Sequence, residues 1–154
     1  MPEVAVWPCR CSGAVTRWGL SVWGPTARWM RRRAAAVRLG CDRVSMGSAH
    51  GRRIRLLALS QAANFSRRID LTRALEAAMD EAADQGATLQ IPVEPDSLVT
   101  TRAHQTLADD QGNAWITTVP FVLDSGHYGA LTFEWSDPPG PDVRGVAEGI
   151  AAVV

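Results

Sequence analysis

Residues 44–60, VSMGSAHGRRIRLLALS, decide the fold class. Val44 and Met46 alternate with Ser45 and Gly47; Ile54, Leu56 and Ala58 alternate with Arg53, Arg55 and Leu57; His50-Gly51 stands between the two runs as turn chemistry. Alternation at period two sends successive side chains to opposite faces, so the runs read as the strands of an antiparallel hairpin. The pattern recurs downstream. Residues 114–123 are β-branched and aromatic, residues 124–127 (DSGH) are a turn, and Leu131, Phe133 and Trp135 alternate with Thr132 and Glu134. Two tight hairpins force antiparallel neighbours and exclude a doubly wound parallel sheet. Pro120 has no N–H for a ladder, so the second ribbon needs an edge or a bulge at that residue.

Between the hairpins, Leu71, Leu75, Ala78, Met79 and Ala82 recur at three-and-four spacing and make one apolar helical stripe, with Asp70 placed to cap it and Gly86 to stop it. Leu89 and Ile91 suggest a short strand ended by Pro92 and Pro95. Thr100 or Thr101 then opens a second helix that runs through Ala103 and Leu107 to Gly112. Ahead of the first hairpin, Trp29, Met30, Val37 and the alanines at 34–36 predict a helix from Thr26 that Gly40 ends. Beyond the proline-rich loop at 136–141, Val143, Val146, Ala147, Ile150 and Val153 form a stripe that the chain end cuts without a cap. The order helix, hairpin, helix, strand, helix, hairpin, helix predicts an α+β domain with a central antiparallel sheet of five to six strands and flanking helices. Helices are expected on one face of the sheet, and the excursions from Gln61 to Pro95 and on to Gly112 are expected to roof the other face over a pocket.

At 154 residues and 16.6 kDa there is room for one core. Residues 1–26 hold Trp7, Trp18 and Trp23 among Pro, Gly, Cys and Arg with no sustained period, and no element is expected there. This is the composition of an ordinary tail, or of a GC-rich gene read from a wrong start or in a shifted frame. Residues 27–154 form the predicted domain, truncated at its terminal helices. Hydrophobic content of 46% and charged content of 21% exclude wholesale disorder, collagen and coiled coil. The formal net charge of +0 hides a split. Residues 1–68 hold 13 arginines against Glu3 and Asp42, and the remainder holds 3 arginines against 14 acids. All 16 basic residues are Arg, which reads as codon bias, so the basic half carries no argument for nucleic acid. The odd cysteine count (Cys9, Cys11, Cys41) argues against a disulfide framework and for a reducing compartment. No run approaches the ~18 apolar residues of a membrane span.

The strings GCDRVSMG (residues 40–47), DLTRALEAAMDEAADQGATL (70–89), TRAHQTLA (101–108) and YGALTFEW (128–135) resemble a GAF domain, a sensory fold of central antiparallel sheet and flanking helices. Within that family they are similar to domains found ahead of hemolysin-D-like membrane-fusion (periplasmic adaptor) proteins in proteobacteria. The resemblance spans most of residues 40–140. It implies a cytoplasmic ligand-sensing or dimerising module that would ordinarily precede a membrane span and an adaptor domain, with terminal helices that bundle against a second copy.

Enzymatic chemistry finds little support. GAF-type methionine-sulfoxide reductases use cysteines placed around the pocket, and bilin-binding relatives attach chromophore through a Cys beside a His; this chain has no Cys after Cys41, which reads as a small core residue. His50 and His127 belong to turns and His104 to a helix, so no zinc cluster is expected. Phosphate-cradle and nucleophile-elbow motifs are missing, and so are helix-turn-helix and RNP signatures. No catalytic residue, cofactor or metal is therefore assigned. The ligand-binding candidates are the polar residues where helix ends and loops would face the concave side of the sheet: Ser60, Asn64, Arg73, Arg102, His104 and Trp115. Arg73 and Arg102 would clamp an anion through their planar forks, and Trp115 would supply a stacking wall. Against the clamp stands an ion pair between Arg73 and Glu76, and against the wall stands plain core packing. The acids Glu76, Asp80, Glu81 and Asp84 read as a solvated helix face. The expected function is a non-catalytic small-molecule sensor and homodimer regulating or accompanying a membrane-fusion adaptor. A dimerisation scaffold without a small ligand is the second reading and a thiol sulfoxide reductase the third.

Overall fold

The computed structural model describes residues 5–6, 39–60, 65–112, 115–122 and 127–152. Six strands form one sheet: β1 (Ala5–Val6), β2 (Arg43–His50), β3 (Arg53–Leu59), β4 (Leu89–Ile91), β5 (Trp115–Val122) and β6 (Tyr128–Trp135). Three helices flank it: α1 (Phe65–Gln85), α2 (Arg102–Gln111) and α3 (Val143–Ala152). The strand order is β1-β3-β2-β6-β5-β4. The two hairpins lie side by side through β2 and β6, and every pair is antiparallel except the short parallel contact of β1 with β3. The α+β class with an antiparallel sheet of five to six strands is thus observed. The N-terminal segment, where no element was expected, supplies β1. The helix expected from Thr26 falls outside the described residues, which resume at Leu39.

Two local differences from the sequence reading have physical causes. Gly47 pairs with Leu56 and Met46 with Ala58, so Leu57 is an extra residue in a β-bulge and lies 44% exposed. The bulge moves Ala58 off the face of Ile54 and Leu56 and brings Leu59 onto it. Helix α1 begins at Phe65, five residues before the expected cap, because no Gly or Pro between Gln61 and Gln85 stops it; Asp70 is an exposed residue within the helix. Gly86 and Gly112 do end their helices, at φ of 59° and 67°. Pro120 meets its requirement for an edge: β4 covers only residues 116–118 of β5, so beyond Thr118 the strand has β6 alone as a partner.

Both faces of the sheet are packed, which corrects the expectation of one face roofed by loosely held chain. On the first face Leu71, Leu75, Ala78 and Met79 of α1 and Leu107 and Ala108 of α2 close a core with Ile54, Leu56, Leu59, Ile91, Ile116 and Ala130. On the second face Val143, Ala147 and Ala151 of α3 sit over Val119, Phe121, Leu131, Phe133 and Trp135, flanked by Leu39, Cys41, Val44 and Met46. The described part of segment 61–95, residues 65–95, has α1 as its main element, and the apolar stripe of α1 lies directly on the strands. Each fully buried Leu contributes about 1.5–3 kcal/mol, which favours this solid packing over a hollow. Gly47 permits the close approach, since a Cβ built there would stand 2.6 Å from Met79 Sδ.

Candidate functional site

On α1, Glu76, Asp80 and Glu81 are hydrogen-bond acceptors rather than parts of a solvated face, while Asp84 is exposed as expected. Glu76 Oε1 accepts the backbone N–H of Leu56 at 3.0 Å, and Asp80 Oδ1 accepts that of Ile54 at 2.6 Å. Four residues of helix rise about 6 Å and two residues of strand about 6.7 Å, so carboxylates four apart match alternate N–H groups along β3. These donors lie on the edge of β3 that β1 leaves open, and edge donors without partners invite misassembly. Glu76 Oε2 also pairs with Arg55 at 2.9 Å, so its guanidinium partner is Arg55 and not the expected Arg73.

Glu81 turns the other way. Its Oε1 accepts the N–H of Ala103 at 3.1 Å and its Oε2 the N–H of His104 at 3.2 Å, closing the N-terminus of α2 from a neighbouring helix. The N-cap residue Thr101 makes no side-chain capping bond of its own. Glu81 Oε2 also lies 2.7 Å from His104 Nδ1, while His104 Nε2 lies 2.8 Å from Thr118 Oγ1, which is 3.0 Å from Thr132 Oγ1. His104, Thr118 and Thr132 are fully buried. Burial pushes the His104 pKa down and outweighs the upward pull of Glu81, so the imidazole is neutral at pH 7. Burial pushes Glu81 up, but the bonds from His104 and from two backbone N–H groups outweigh it and hold the carboxyl below its usual range. A carboxylate only accepts, so Nδ1 carries the proton, Nε2 accepts the Thr118 hydroxyl, and the Thr118 oxygen accepts the Thr132 hydroxyl. This chain of hydrogen bonds runs from the helix pair into the middle of the sheet.

Beside it, Glu134 on β6 is fully buried and forms a bidentate pair with Arg43 directly across on β2, including Arg43 Nε to Glu134 Oε1 at 2.6 Å. Ser45, two residues along β2 from Arg43 and directly across from Thr132, is buried, and its Oγ has no hydrogen-bond partner among the described residues.

Two concavities among the described residues border this machinery. The larger, about 730 Å³, lies between the start of β3, the C-terminal half of α1 and Thr100, and is lined by Arg52, Arg53, Asp80, Glu81, Asp84 and Gln85. The smaller, about 430 Å³, lies between the end of α1 and the β5–β6 hairpin, against Pro120, Phe121, Val122 and Tyr128. Glu81 is therefore at once the cap of α2, the partner of His104 and part of the wall of the larger groove.

Of the expected ligand residues that the structure describes, none lines either concavity. Ser60 is buried and structural: its Oγ accepts the N–H of Val44 at 2.8 Å, and its own N–H goes to the Val44 carbonyl. Arg73 and Arg102 are exposed, on α1 and at the start of α2. Trp115 packs, half buried, at the rim of the second core opposite Trp135. Asn64 lies outside the described residues. His104 alone belongs to the site, through its contact with Glu81 rather than by facing a ligand. Neither of these two concavities brings Arg73 and Arg102 together or has Trp115 in its wall. Arg52, Arg53, Asp80, Glu81 and Asp84 were missed as a group because an i, i+1, i+4 run of acids on a helix has the same signature whether it faces solvent or a strand edge. Cys41 is half buried against the second core, as expected of a small core residue. Among the described residues no group of three or more potential metal ligands converges, and no helix is long and apolar enough to cross a membrane.

No protein-family model and no curated protein matches the sequence. Solved structures are similar in fold. A domain attributed to a two-component sensor histidine kinase protein of Sinorhizobium meliloti has a TM-score of 0.58 at 16% identity, over 85% of this chain and 87% of that one. GAF3 from Slr1393 of Synechocystis, in its photoproduct state, has a TM-score of 0.53 at 16% identity, over 80% and 88%. A Staphylococcus aureus NreA protein mutated in its nitrate-binding site has a TM-score of 0.52 at 15% identity, over 75% and 90%. The fold is GAF-like.

Proposed function

We propose that this GAF-like chain is a non-catalytic, small-molecule-sensing domain whose ligand occupies the groove bounded by Arg52, Arg53, Asp80, Glu81 and Asp84. The observation that carries the reading is the double engagement of Glu81, which lines the groove and closes the N-terminus of α2. A ligand that draws on Glu81 must bind one arrangement of α2 better than another, and that difference is all a ligand has with which to shift the equilibrium. The His104–Thr118–Thr132 chain carries the same difference to the sheet. The names of fold neighbours, which include a sensor kinase and a nitrate-binding protein, agree with sensing as a use of this fold. The resemblance of residues 40–140 to domains ahead of membrane-fusion adaptors supports a cytoplasmic homodimer, joined through terminal helices and accompanying such an adaptor.

A thermal-shift screen of polar metabolites tests the reading. Compounds that bind the folded state raise Tm, and Glu81→Gln should change that response. A flat response across the screen supports the second reading, a dimerisation scaffold, which the solid packing of both sheet faces favours.

A further inference from the structure

The ionisable side chains that line the groove are not equally engaged. Asp80 accepts the N–H of Ile54, and both oxygens of Glu81 are committed to α2. Gln85 is spent on Thr100, donating to its carbonyl at 2.7 Å and accepting its N–H at 2.9 Å, which fixes that wall of the groove. Arg52, Arg53 and Asp84 make no hydrogen bond or ion pair among the described residues, although charges of both signs border the same concavity. A volume of about 730 Å³ falls within the range of small-molecule sites.

The lining excludes simple ions by its own signs. An anion held by the two guanidinium groups would still face Asp80, Glu81 and Asp84, and a diamine drawn to those acids would face Arg52 and Arg53. Opposite charges carried on one small molecule satisfy both sets. Resting on the proposal that this groove is the ligand site, we infer that its ligand is a small dipolar molecule bearing a carboxylate and an ammonium group, the chemistry of a free amino acid. Arg52 and Arg53 receive the carboxylate through their planar forks. Asp84, with the outer oxygen of Asp80, receives the ammonium group. The neutral remainder of the molecule lies along Ala77 and Gln85.

Calorimetric titration of the full chain with glutamine, succinate and putrescine, alongside the wider metabolite screen, tests the inference. Glutamine is expected to bind, with at least tenfold weaker binding of succinate and of putrescine. Arg53→Gln and Asp84→Asn are each expected to weaken glutamine binding at least tenfold. Both residues are exposed and unpaired, so the unliganded Tm of each variant should equal that of the parent. Binding of succinate, putrescine or another non-dipolar compound in place of glutamine overturns the inference and leaves the sensing proposal standing. Glutamine binding that both variants retain also overturns it, since the ligand then lies elsewhere. Failure of every compound in the screen overturns the inference and the sensing proposal together.

Discussion

Glu81 and His104, 23 residues apart in sequence, are joined twice: Glu81 Oε2 lies 2.7 Å from the imidazole Nδ1 and 3.2 Å from the His104 backbone N, while Oε1 takes the neighbouring N–H of Ala103. One side chain of α1 thus performs the capping that the residue before α2 does not. It also fixes the tautomer of a buried histidine.

Glu81→Gln keeps the shape but replaces an ionised acceptor of three donors by an amide that offers one acceptor oxygen and an NH2 facing the others. Charge-assisted bonds of this kind contribute about 1.5–3 kcal/mol, so a loss of about that size is expected in denaturant unfolding. Amide exchange at Ala103 and His104 should accelerate more than exchange in α1. An unchanged midpoint would show that Glu81 does not hold α2.

Acidification should destabilise the fold, with the same sign from both partners. His104 titrates below its usual 6.5 when folded, because burial disfavours the imidazolium more than Glu81 supports it. The unfolded chain therefore takes up a proton that the folded chain refuses, and stability falls as pH drops below about 6.5. Glu81, held below its usual 4.5, adds stability above that value and loses it as pH falls through the folded pKa. Tm measured from pH 8 to pH 4 should fall progressively below pH 6.5. In His104→Gln the fall between pH 6.5 and 5 should be shallower; an identical slope would remove His104 as its source.

Arg43→Ala should be among the most damaging single changes. It withdraws the guanidinium from Glu134, a carboxylate with no exposed surface in the middle of the sheet. Breaking one side of a buried pair costs about 3–5 kcal/mol, whereas replacing both residues by apolar side chains can be neutral. The double change Arg43→Met with Glu134→Leu should therefore unfold later in denaturant than Arg43→Ala alone.

Gly47→Ala tests the seating of α1 on the sheet. Its methyl group would meet Met79 Sδ at 2.6 Å and the side chain of Ile54, so overpacking of about 1–3 kcal/mol is expected. Adding Met79→Ala removes that sulfur, and the two changes together should cost less than the sum of each alone.

The α+β class, the two ribbons, the ends of α1 and α2 at Gly86 and Gly112, and the apolar stripe of α1 are legible in the amino-acid order. Each of these follows from period, from a residue without a Cβ at a positive φ, or from a missing N–H, and such properties are local to the chain. Tertiary structure alone decided that Asp80 closes a strand edge, that Glu81 caps a helix it does not belong to, and that His104 and Glu134 are buried with partners 23 and 91 residues away. It also decided that both sheet faces are filled and that the groove lies beside the hairpin rather than over the strands. A carboxylate on a helix surface obeys the same spacing whether water or a backbone N–H answers it. Only the packing of α1 against β3 and α2 determines which does.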